Sequence, residues 1–363
     1  MKCGVQRGYR KSHVHINVKN SVKKGVKKGV KKGVSTVPRF LLRLCLFGPL
    51  LLGPALAQAC TATFSPGSGV HLGSYPSTVA LAPGTSAPAS GRVQGMFSLN
   101  CPGAVLTVAS DQSVVATLSA TGSGTNPPQL RKAGEALSIP YDMASDATGG
   151  ATLYTAGSVL YNQSGSSLLT LFSDGTINVP IYFRASLLQN LSAGDYQDTV
   201  SLTWQPSNIC QGTLGLLGIC VGTVDSTAKS TLITVTVHVE KACTINAPDI
   251  DFGSAILPSQ FDSVTAQAQI RCTKGLAYTV GFTAGAHASG GKRRMQHGSG
   301  DFLSYDIFKP NTTLWSSTDR VPGASVGDGV SEQNLPFTAT IYPDQAAPAI
   351  GVYTDNLVID VGF

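Results

Sequence analysis

Two tyrosine–aspartate pairs are the residues whose type and spacing most resemble a chemical site. Tyr196 and Asp198 stand two positions apart, and Tyr353 and Asp355 repeat that spacing near the C-terminus. A carboxylate close to a phenol can serve as an acid/base pair. Both pairs, however, open a segment of alternating apolar residues, and the arrangement occurs twice. We therefore interpret them as structural residues at the starts of two strands.

Other signs of catalysis are weak. Beyond residue 59 the chain has four histidines, none of them at metal-ligand spacing: His71, His238, His287 and His297. The sequence also lacks a phosphate-binding P-loop. We predict no catalytic residue, no metal and no cofactor. The enzymatic alternative is a secreted glycosidase, because paired carboxylates need not be neighbours in the sequence.

The first 59 residues differ in composition from the rest of the chain. They hold 13 of the 26 Lys and Arg residues and no Asp or Glu. An apolar stretch over residues 40–57 ends in Ala57-Gln58-Ala59, which is typical of a secretory signal peptide and its cleavage site. The alternative is a lipoprotein anchor at Cys60, although a lipobox normally has Leu where Ala57 stands. We predict that residues 1–59 are a leader that directs export.

The charge of the chain changes sign when this leader is set aside. The remaining residues carry 13 basic and 20 acidic side chains, a net charge of −7. A nucleic-acid partner would need a basic surface to neutralise phosphates, so we predict none. The one basic cluster left, Lys292-Arg293-Arg294, is interpreted as a solvated turn.

An internal repeat pairs the cysteines. Six cysteines follow the leader, and an exported protein reaches a compartment where cysteines form disulfides. Each half of the chain opens with Cys-Thr and reaches a second cysteine at the end of an alternating strand. The repeat predicts the bridges Cys60–Cys101 and Cys243–Cys272, which leaves Cys210–Cys220 as a local staple.

Further repeated segments predict two domains built only from strands. Leu137-Ser138 with Tyr141-Asp142 matches Leu303-Ser-Tyr-Asp306, and each half closes on Gly-x-Tyr-x-Asp. Short alternating segments rich in Val, Ile, Thr and Tyr are separated by Gly, Ser, Asn and Pro, which is typical of a β-sandwich. We predict an all-β protein with domains over residues 60–240 and 241–363.

The two halves differ at their ends. After its closing strand the first half has a further alternating strand, Ile233–Val239, whereas the second half ends with its closing strand. We expect the second domain to be incomplete and to need a strand from a partner. The groove for that strand is expected to be lined by Leu357, Ile359, Val361 and Phe363. The alternative is that another segment of this chain fills the groove, with 231–239 the best candidate.

The repeated motifs resemble the spore coat protein U domain family, which includes subunits of archaic, Csu-type chaperone–usher pili. The resemblance lies in the Cys-Thr opening, the second cysteine, Arg294-Met295, Leu303-Ser-Tyr-Asp and Gly351-x-Tyr-x-Asp. It covers residues 241–363 well and 60–204 more loosely. It implies two immunoglobulin-like sandwiches and a donor strand from the next pilin subunit. It also implies a periplasmic chaperone and an outer-membrane usher as partners.

A two-domain chain of this kind resembles a tip adhesin. A mature chain that begins at or next to Cys60 can accept a strand but has none to give, so we expect it at the pilus tip on the cell surface. There it would mediate cell adhesion and biofilm formation. The alternative is a structural pilus or coat subunit without a receptor site.

The segment between Cys210 and Cys220 is the predicted contact with a host or abiotic surface. Strand 233–239 runs directly into Cys243, so the hairpin before it should lie at the pole opposite the second domain. Four large aliphatic residues crowd this glycine-rich turn: Leu214, Leu216, Leu217 and Ile219. Exposed apolar patches often mark binding surfaces. The alternative is that the leucines fold back onto the sandwich.

Overall fold

The computed structural model describes residues 10–20, 59–78, 87–89, 91–105, 111–148, 153–169, 175–214, 219–298, 300–323 and 326–363. In these segments the chain is almost entirely β. Helical structure there is limited to α1 (Ser166–Leu169) and a 3₁₀ turn at Pro258–Gln260. This agrees with the all-β prediction.

Strand β1 (Arg10–Asn20) lies in the predicted leader. The first sandwich contains β2 (Thr61–Ser65), β3 (Gly69–Pro76), β4 (Ala87–Pro88), β5 (Val93–Asn100), β6 (Ala104–Val105), β7 (Ser113–Thr121), β8 (Gln129–Leu130), β9 (Ile139–Ala144), β10 (Leu153–Tyr154), β11 (Val159–Ser164), β12 (Thr176–Leu187), β13 (Gly194–Ser207), β14 (Ile209–Leu214), β15 (Cys220–Asp225) and β16 (Lys229–Glu240). The second contains β17 (Cys243–Asn246), β18 (Ile250–Ala255), β19 (Val264–Cys272), β20 (Thr279–Phe282), β21 (Arg293–Gln296), β22 (Phe302–Phe308), β23 (Val321–Pro322), β24 (Gln333–Ile341) and β25 (Val352–Gly362).

The first sandwich packs two sheets face to face. One has the strand order β10-β9-β12-β5-β2, and the other has the order β11-β7-β13-β16-β3. Inward residues alternate with outward ones along each strand, as the pleat requires. The inward residues form a core that extends from Cys60 to Val239. At its centre the rings of Phe97 and Trp204 stack with centroids 5.0 Å apart.

The second sandwich repeats this plan around a separate core that extends from Cys243 to Val361. Its strands follow the order β17-β19-β24-β22-β21-β25-β1-β18, with β20 also paired to β25. The ring of Phe282 packs edge-on against Trp315 and Phe337, with centroids 5.0 Å and 5.2 Å away. The fold is therefore two immunoglobulin-like sandwiches, as predicted.

The three predicted disulfides are formed. Cys60–Cys101 and Cys243–Cys272 join equivalent positions of the two sandwiches, and each has a Cα–Cα distance of 4.1 Å. Cys210–Cys220 closes the β14–β15 hairpin with a Cα–Cα distance of 5.7 Å.

The tyrosine of each Gly-x-Tyr-x-Asp motif bonds back to the chain four residues earlier. The hydroxyl of Tyr196 donates to the carbonyl oxygen of Ser192 at 3.2 Å, and that of Tyr353 donates to Ala349 at 2.6 Å. This arrangement is the tyrosine corner of immunoglobulin-like sandwiches. Both tyrosines are therefore structural.

The aspartate of the same motif meets a tyrosine from a distant strand. The hydroxyl of Tyr141 donates to Asp198 Oδ2 at 2.9 Å, and that of Tyr305 donates to Asp355 Oδ2 at 2.8 Å. Burial raises the pKa of Tyr141 and of Tyr305, and the adjacent carboxylate raises each further. These phenols stay protonated and act as hydrogen-bond donors. In each core, the tyrosine of the repeated Leu-Ser and Tyr-Asp segment thus bonds the aspartate of the Gly-x-Tyr-x-Asp motif.

We expect Tyr141→Phe and Tyr305→Phe each to lower the free energy of unfolding by about 1.5–3 kcal/mol, because a buried carboxylate loses a donor. Tyr161→Phe is the matched control. Among the described residues, its hydroxyl is buried without a hydrogen-bond partner, so its removal should be neutral or stabilising. Urea unfolding of the three variants tests this, and equal losses would contradict it.

The basic run at residues 292–294 is not a solvated turn throughout. Arg293 is buried on β21, and its guanidinium bonds Asp306 Oδ1 at 2.8 Å and the carbonyl of Trp315 at 2.8 Å. The prediction was wrong for this residue because the alternation of β21 directs Arg293 and Met295 inward. Its charge is neutralised inside the domain by Asp306.

Candidate functional site

Strand β16 completes the first sandwich from within the same chain. It pairs antiparallel with β13, from Gly194–Val239 to Trp204–Lys229, and parallel with β3. Its inward residues are buried in the first core: Ile233, Val235, Val237 and Val239. The strand therefore belongs to the first sandwich and is not available to the second.

In the second sandwich the equivalent position lies between β25 and β18. It is occupied by β1, which pairs parallel with β25 from Lys11–Val352 to Asn20–Val361. On its other side β1 pairs antiparallel with β18. A strand between β25 and β18 thus completes the second sandwich, as β16 completes the first.

This occupancy differs from the expectation of an open groove. A segment of the same chain fills the position, but it is β1 and not residues 231–239. The physical reason lies in the sequence of β1, where Val14, Ile16 and Val18 alternate with polar residues in a pattern that favours a strand. The register pairs Ile16 with Leu357 and Val18 with Ile359. Because β1 precedes the predicted cleavage site, it belongs to the part that cleavage would remove.

Three of the four residues predicted to line the groove have buried side chains on β25: Leu357, Ile359 and Val361. Phe363 lies one residue beyond the end of β25 and is 38% exposed. It follows the last pair between β25 and β1, Val361–Asn20. The groove-lining role of all four residues stays a prediction.

The two completing strands run in opposite directions relative to their neighbours. β16 is antiparallel to β13, whereas β1 is parallel to the equivalent strand β25. Inward side chains alternate along a strand in either direction. The position is therefore compatible with an incoming strand of either polarity.

The β14–β15 hairpin leaves the first sandwich as an outer layer. β14 pairs with β15 on one side and with the short strand β6 on the other. At the base, Ile209, Cys210 and Gln211 are buried, while Ile219 near the tip is 65% exposed. Leu216 and Leu217 lie outside the described residues, as does the side chain of Leu214. The surface-binding role of these four residues stays a prediction.

Contacts between the sandwiches locate this hairpin. Lys274 Nζ lies 3.0 Å from Glu135 Oε2, and Lys274 also forms a β-bridge with Ser192. Ser192 lies two residues before β13, whose pairing with β16 runs from Gly194 to Trp204. Ten strand residues span about 33 Å, and the hairpin follows the far end. Its base is therefore at the pole of the first sandwich opposite the second.

The Spore Coat Protein U domain model matches residues 47–203 and 229–360, well over half of the chain. The chain belongs to the spore coat protein U domain family. The second family match begins at the first residue of β16. The family pattern therefore includes the strand that directly precedes the second sandwich. No curated protein matches the sequence.

Solved structures include chains that are similar to this one. One is a chain of the CsuC–CsuE chaperone–tip adhesion subunit pre-assembly complex from archaic chaperone–usher Csu pili of Acinetobacter baumannii, with 23% identity, a TM-score of 0.52 and coverage of 84% of this chain and 100% of that chain. Weaker likenesses are the CupB6 tip adhesin of Pseudomonas aeruginosa (12% identity, TM-score 0.33, coverage 83% and 98%) and the CooA pilin subunit of enterotoxigenic Escherichia coli (17%, 0.27, coverage 50% and 99%).

This spore coat protein U family member exposes two apolar residues that sequence reasoning missed. Val221 and Val224 lie exposed on β15, next to Ile219. A valine within a strand gives no sign of which face it occupies. Only the strand order β15-β14-β6, which places β15 on the outside, reveals their exposure. With Ile219 they give the described part of the hairpin three exposed apolar side chains.

In the described segments, no group of three or more His, Cys, Asp or Glu residues is placed to hold a metal ion. No helix in the same segments is both long and apolar enough to cross a membrane.

Proposed function

We propose that this protein is the tip subunit of a chaperone–usher pilus and mediates cell adhesion and biofilm formation. Its two domains would be residues 60–240 and 241–363. The observation that carries the proposal is the source of the completing strands: β16 completes the first sandwich, and β1 from the predicted leader completes the second. Cleavage after Ala59 would remove β1 and open the position between β25 and β18.

An open position of this kind would bind an incoming strand strongly. Both neighbouring strands would expose unpaired backbone N–H and C=O groups, which form a template for a further strand. An inserted strand that buried about five large apolar side chains, at roughly 1.5–3 kcal/mol each, would gain about 8–15 kcal/mol gross. This equals the net stability of a typical domain. The strand of the next pilin subunit would supply this energy by donor-strand complementation.

The need to cover the open position between β25 and β18 also leads us to infer a chaperone and an usher. A subunit with an open sheet edge would aggregate in the periplasm unless a partner covered that edge. The similar CsuC–CsuE structure is a chaperone–tip complex, which supports a periplasmic chaperone as that partner. Because the position is compatible with strands of either direction, the chaperone strand and the donor strand need not share a polarity. Delivery to an outer-membrane usher would complete secretion to the cell surface.

The tip position rests on how the chain uses its own strands. β16, the last strand before Cys243, is already paired within the first sandwich and is not available for donation. Cleavage after Ala59 would leave no strand ahead of Cys60, so the mature chain would accept a strand without donating one. Such a subunit belongs at the end of a polymer.

Immunogold microscopy of piliated cells tests the proposal. The protein is produced with its chaperone and usher, and the antibody recognises residues 60–240. We expect label at pilus ends only, and label along the shaft would instead favour a structural pilus or coat subunit. A control chain carries an added completing strand tethered after Phe363. It should not enter pili, because the added strand already fills its acceptor position.

We expect Leu216→Ser with Leu217→Ser to abolish attachment to apolar surfaces while pili still assemble. Burial of the four aliphatic residues against a surface would give roughly 6–12 kcal/mol gross, before the costs of ordering and docking. Leu232→Ser is the matched control, because this exposed leucine lies on β16 outside the hairpin. Adhesion to plastic is measured beside pilus counts. Normal adhesion with normal piliation would exclude the hairpin, and loss of pili would place the leucines in the core.

A further inference from the structure

Asp225, at the end of β15, is a buried carboxylate at the base of the hairpin. It is 7% exposed and accepts three hydrogen bonds. Its Oδ2 atom accepts hydrogen bonds from the backbone N–H of Cys60 at 3.0 Å and from Lys229 Nζ at 3.1 Å. Its Oδ1 atom accepts one from the backbone N–H of Thr227 at 2.9 Å. The start of the first sandwich and the base of the hairpin therefore meet at this carboxylate.

Cys60 is held firmly at this junction. It is 2% exposed, it is bonded to Cys101, and Gln211 Nε2 on β14 lies 3.4 Å from its Sγ atom. Ala59, one residue earlier, is exposed. The backbone nitrogen of Cys60 thus lies where the chain passes from the solvent into the core.

This nitrogen belongs to the bond that leader removal is expected to break. Hydrolysis of the Ala59–Cys60 peptide bond adds water, giving a carboxylate on Ala59 and an amine on Cys60. An α-amino group has an ordinary pKa of about 7.7–8.0, so it is largely protonated at neutral pH. The amide donor next to Asp225 would become a cation without any movement of the nitrogen.

We propose that export processing creates a buried ion pair between the α-ammonium group of Cys60 and Asp225, which fastens the mature N-terminus to the base of the hairpin. The proposal rests on cleavage after Ala59, which the proposed function also uses. It assigns to Asp225 a role that only the processed chain can use. Cleavage would leave both partners of this hydrogen bond charged, and N⁺–H···O⁻ bonds are among the short, strong ones.

In the second sandwich, where the chain enters from β16 without a break, the residue before the equivalent cysteine meets a neutral acceptor. There the backbone nitrogen of Ala242, just before Cys243, donates to the hydroxyl of Thr273 at 3.0 Å. A neutral N–H group needs only a neutral acceptor, whereas a buried carboxylate carries a desolvation cost that cationic partners offset. Burial acts to raise the pKa of Asp225, but hydrogen bonds from Thr227, Lys229 and Cys60 outweigh it and lower the pKa. Asp225 is therefore ionised at neutral pH.

The test is a double-mutant cycle on the exported protein, produced with its chaperone so that the open edge of the second sandwich is covered. A glycine inserted between Ala59 and Cys60 moves the ammonium group one residue outward but leaves the Cys60 N–H donor in place. This insertion is combined with Asp225→Asn, and hydrogen exchange is measured on peptides covering β14 and β15. We expect the insertion to speed exchange about tenfold in the native background and to have no effect in the Asp225→Asn background. The same effect in both backgrounds would overturn the ion pair.

Mass spectrometry of the same samples tests the premise separately. A mature chain beginning at Cys60 is expected, and a different first residue or an acylated Cys60 would overturn the proposal at the cleavage step. A second measurement uses only the native protein, so it tests the proposal even if the variants fail to fold. In the native protein the α-amine should react with an amine-selective label at least tenfold more slowly than in guanidinium chloride. Equal rates would contradict a buried ammonium group.

Discussion

Residues 241–363 produced alone in an oxidising compartment will aggregate, and the same segment followed by a tethered strand will be soluble and monomeric. Without β1, the strands β25 and β18 have no strand between them. The tether is a copy of residues 229–240, because β16 fills the equivalent position of the first sandwich. That strand runs antiparallel to its neighbour, so a short linker after Phe363 suffices. The expected gross gain is about 8–15 kcal/mol.

The control for this experiment keeps the length and linker of the tether. In the control strand, Ile233, Val235 and Val237 are replaced by Ser, which removes the apolar face and retains the backbone hydrogen bonds. Thermal unfolding and size-exclusion chromatography compare the three proteins. If the segment without a tether were as stable as the tethered one, the second sandwich would not need a donated strand.

Arg293→Met will destabilise the second sandwich by about 3–5 kcal/mol, because it leaves a buried carboxylate without its cation. The guanidinium of Arg293 neutralises Asp306 and also bonds the carbonyl oxygens of Phe282 and Trp315. Tyr342 donates to Asp306 at 2.7 Å, but burial and this carboxylate raise its pKa to about 12. It therefore stays a neutral donor and cannot replace the cation.

Arg294→Met is the matched control, one residue along the same strand. Arg294 lies over the ring of Phe302 at 4.0 Å and bonds a backbone carbonyl, with its side chain partly exposed. Its removal should cost less than about 1 kcal/mol. Denaturant unfolding of the tethered domain measures both variants. The double variant Arg293→Met with Asp306→Asn should recover part of the loss, and no recovery would show that the arginine acts by packing alone.

Local patterns in the sequence were sufficient to predict the all-β class and, with the internal repeat, the three disulfides. Alternation of apolar residues along a strand has a period of two and depends only on neighbouring residues. The internal repeat then related distant cysteines to each other, so the pairing of Cys60 with Cys101 followed from that of Cys243 with Cys272. The family resemblance rested on the same repeated motifs.

Long-range contacts decided which polar residues act together. Tyr196 and Asp198 are close in sequence, yet Asp198 bonds Tyr141, which is 57 residues away. The register of β21 decided that Arg293 points inward, although it stands in a run of three basic residues. The sequence contains the residue types for these contacts, but the choice of partner depends on which strands become neighbours.

The strand that completes the second sandwich shows most clearly what local sequence patterns predict and what long-range contacts decide. The sequence by itself indicated that β25 repeats β13, because the Gly-x-Tyr-x-Asp motif and the alternation that follows it are local features. Only the tertiary structure decided which segment occupies the position, since any alternating apolar strand can pair with the edges of β25 and β18. Backbone hydrogen bonds are the same for every sequence, so competition among strands, and not the local pattern, selects the one that binds.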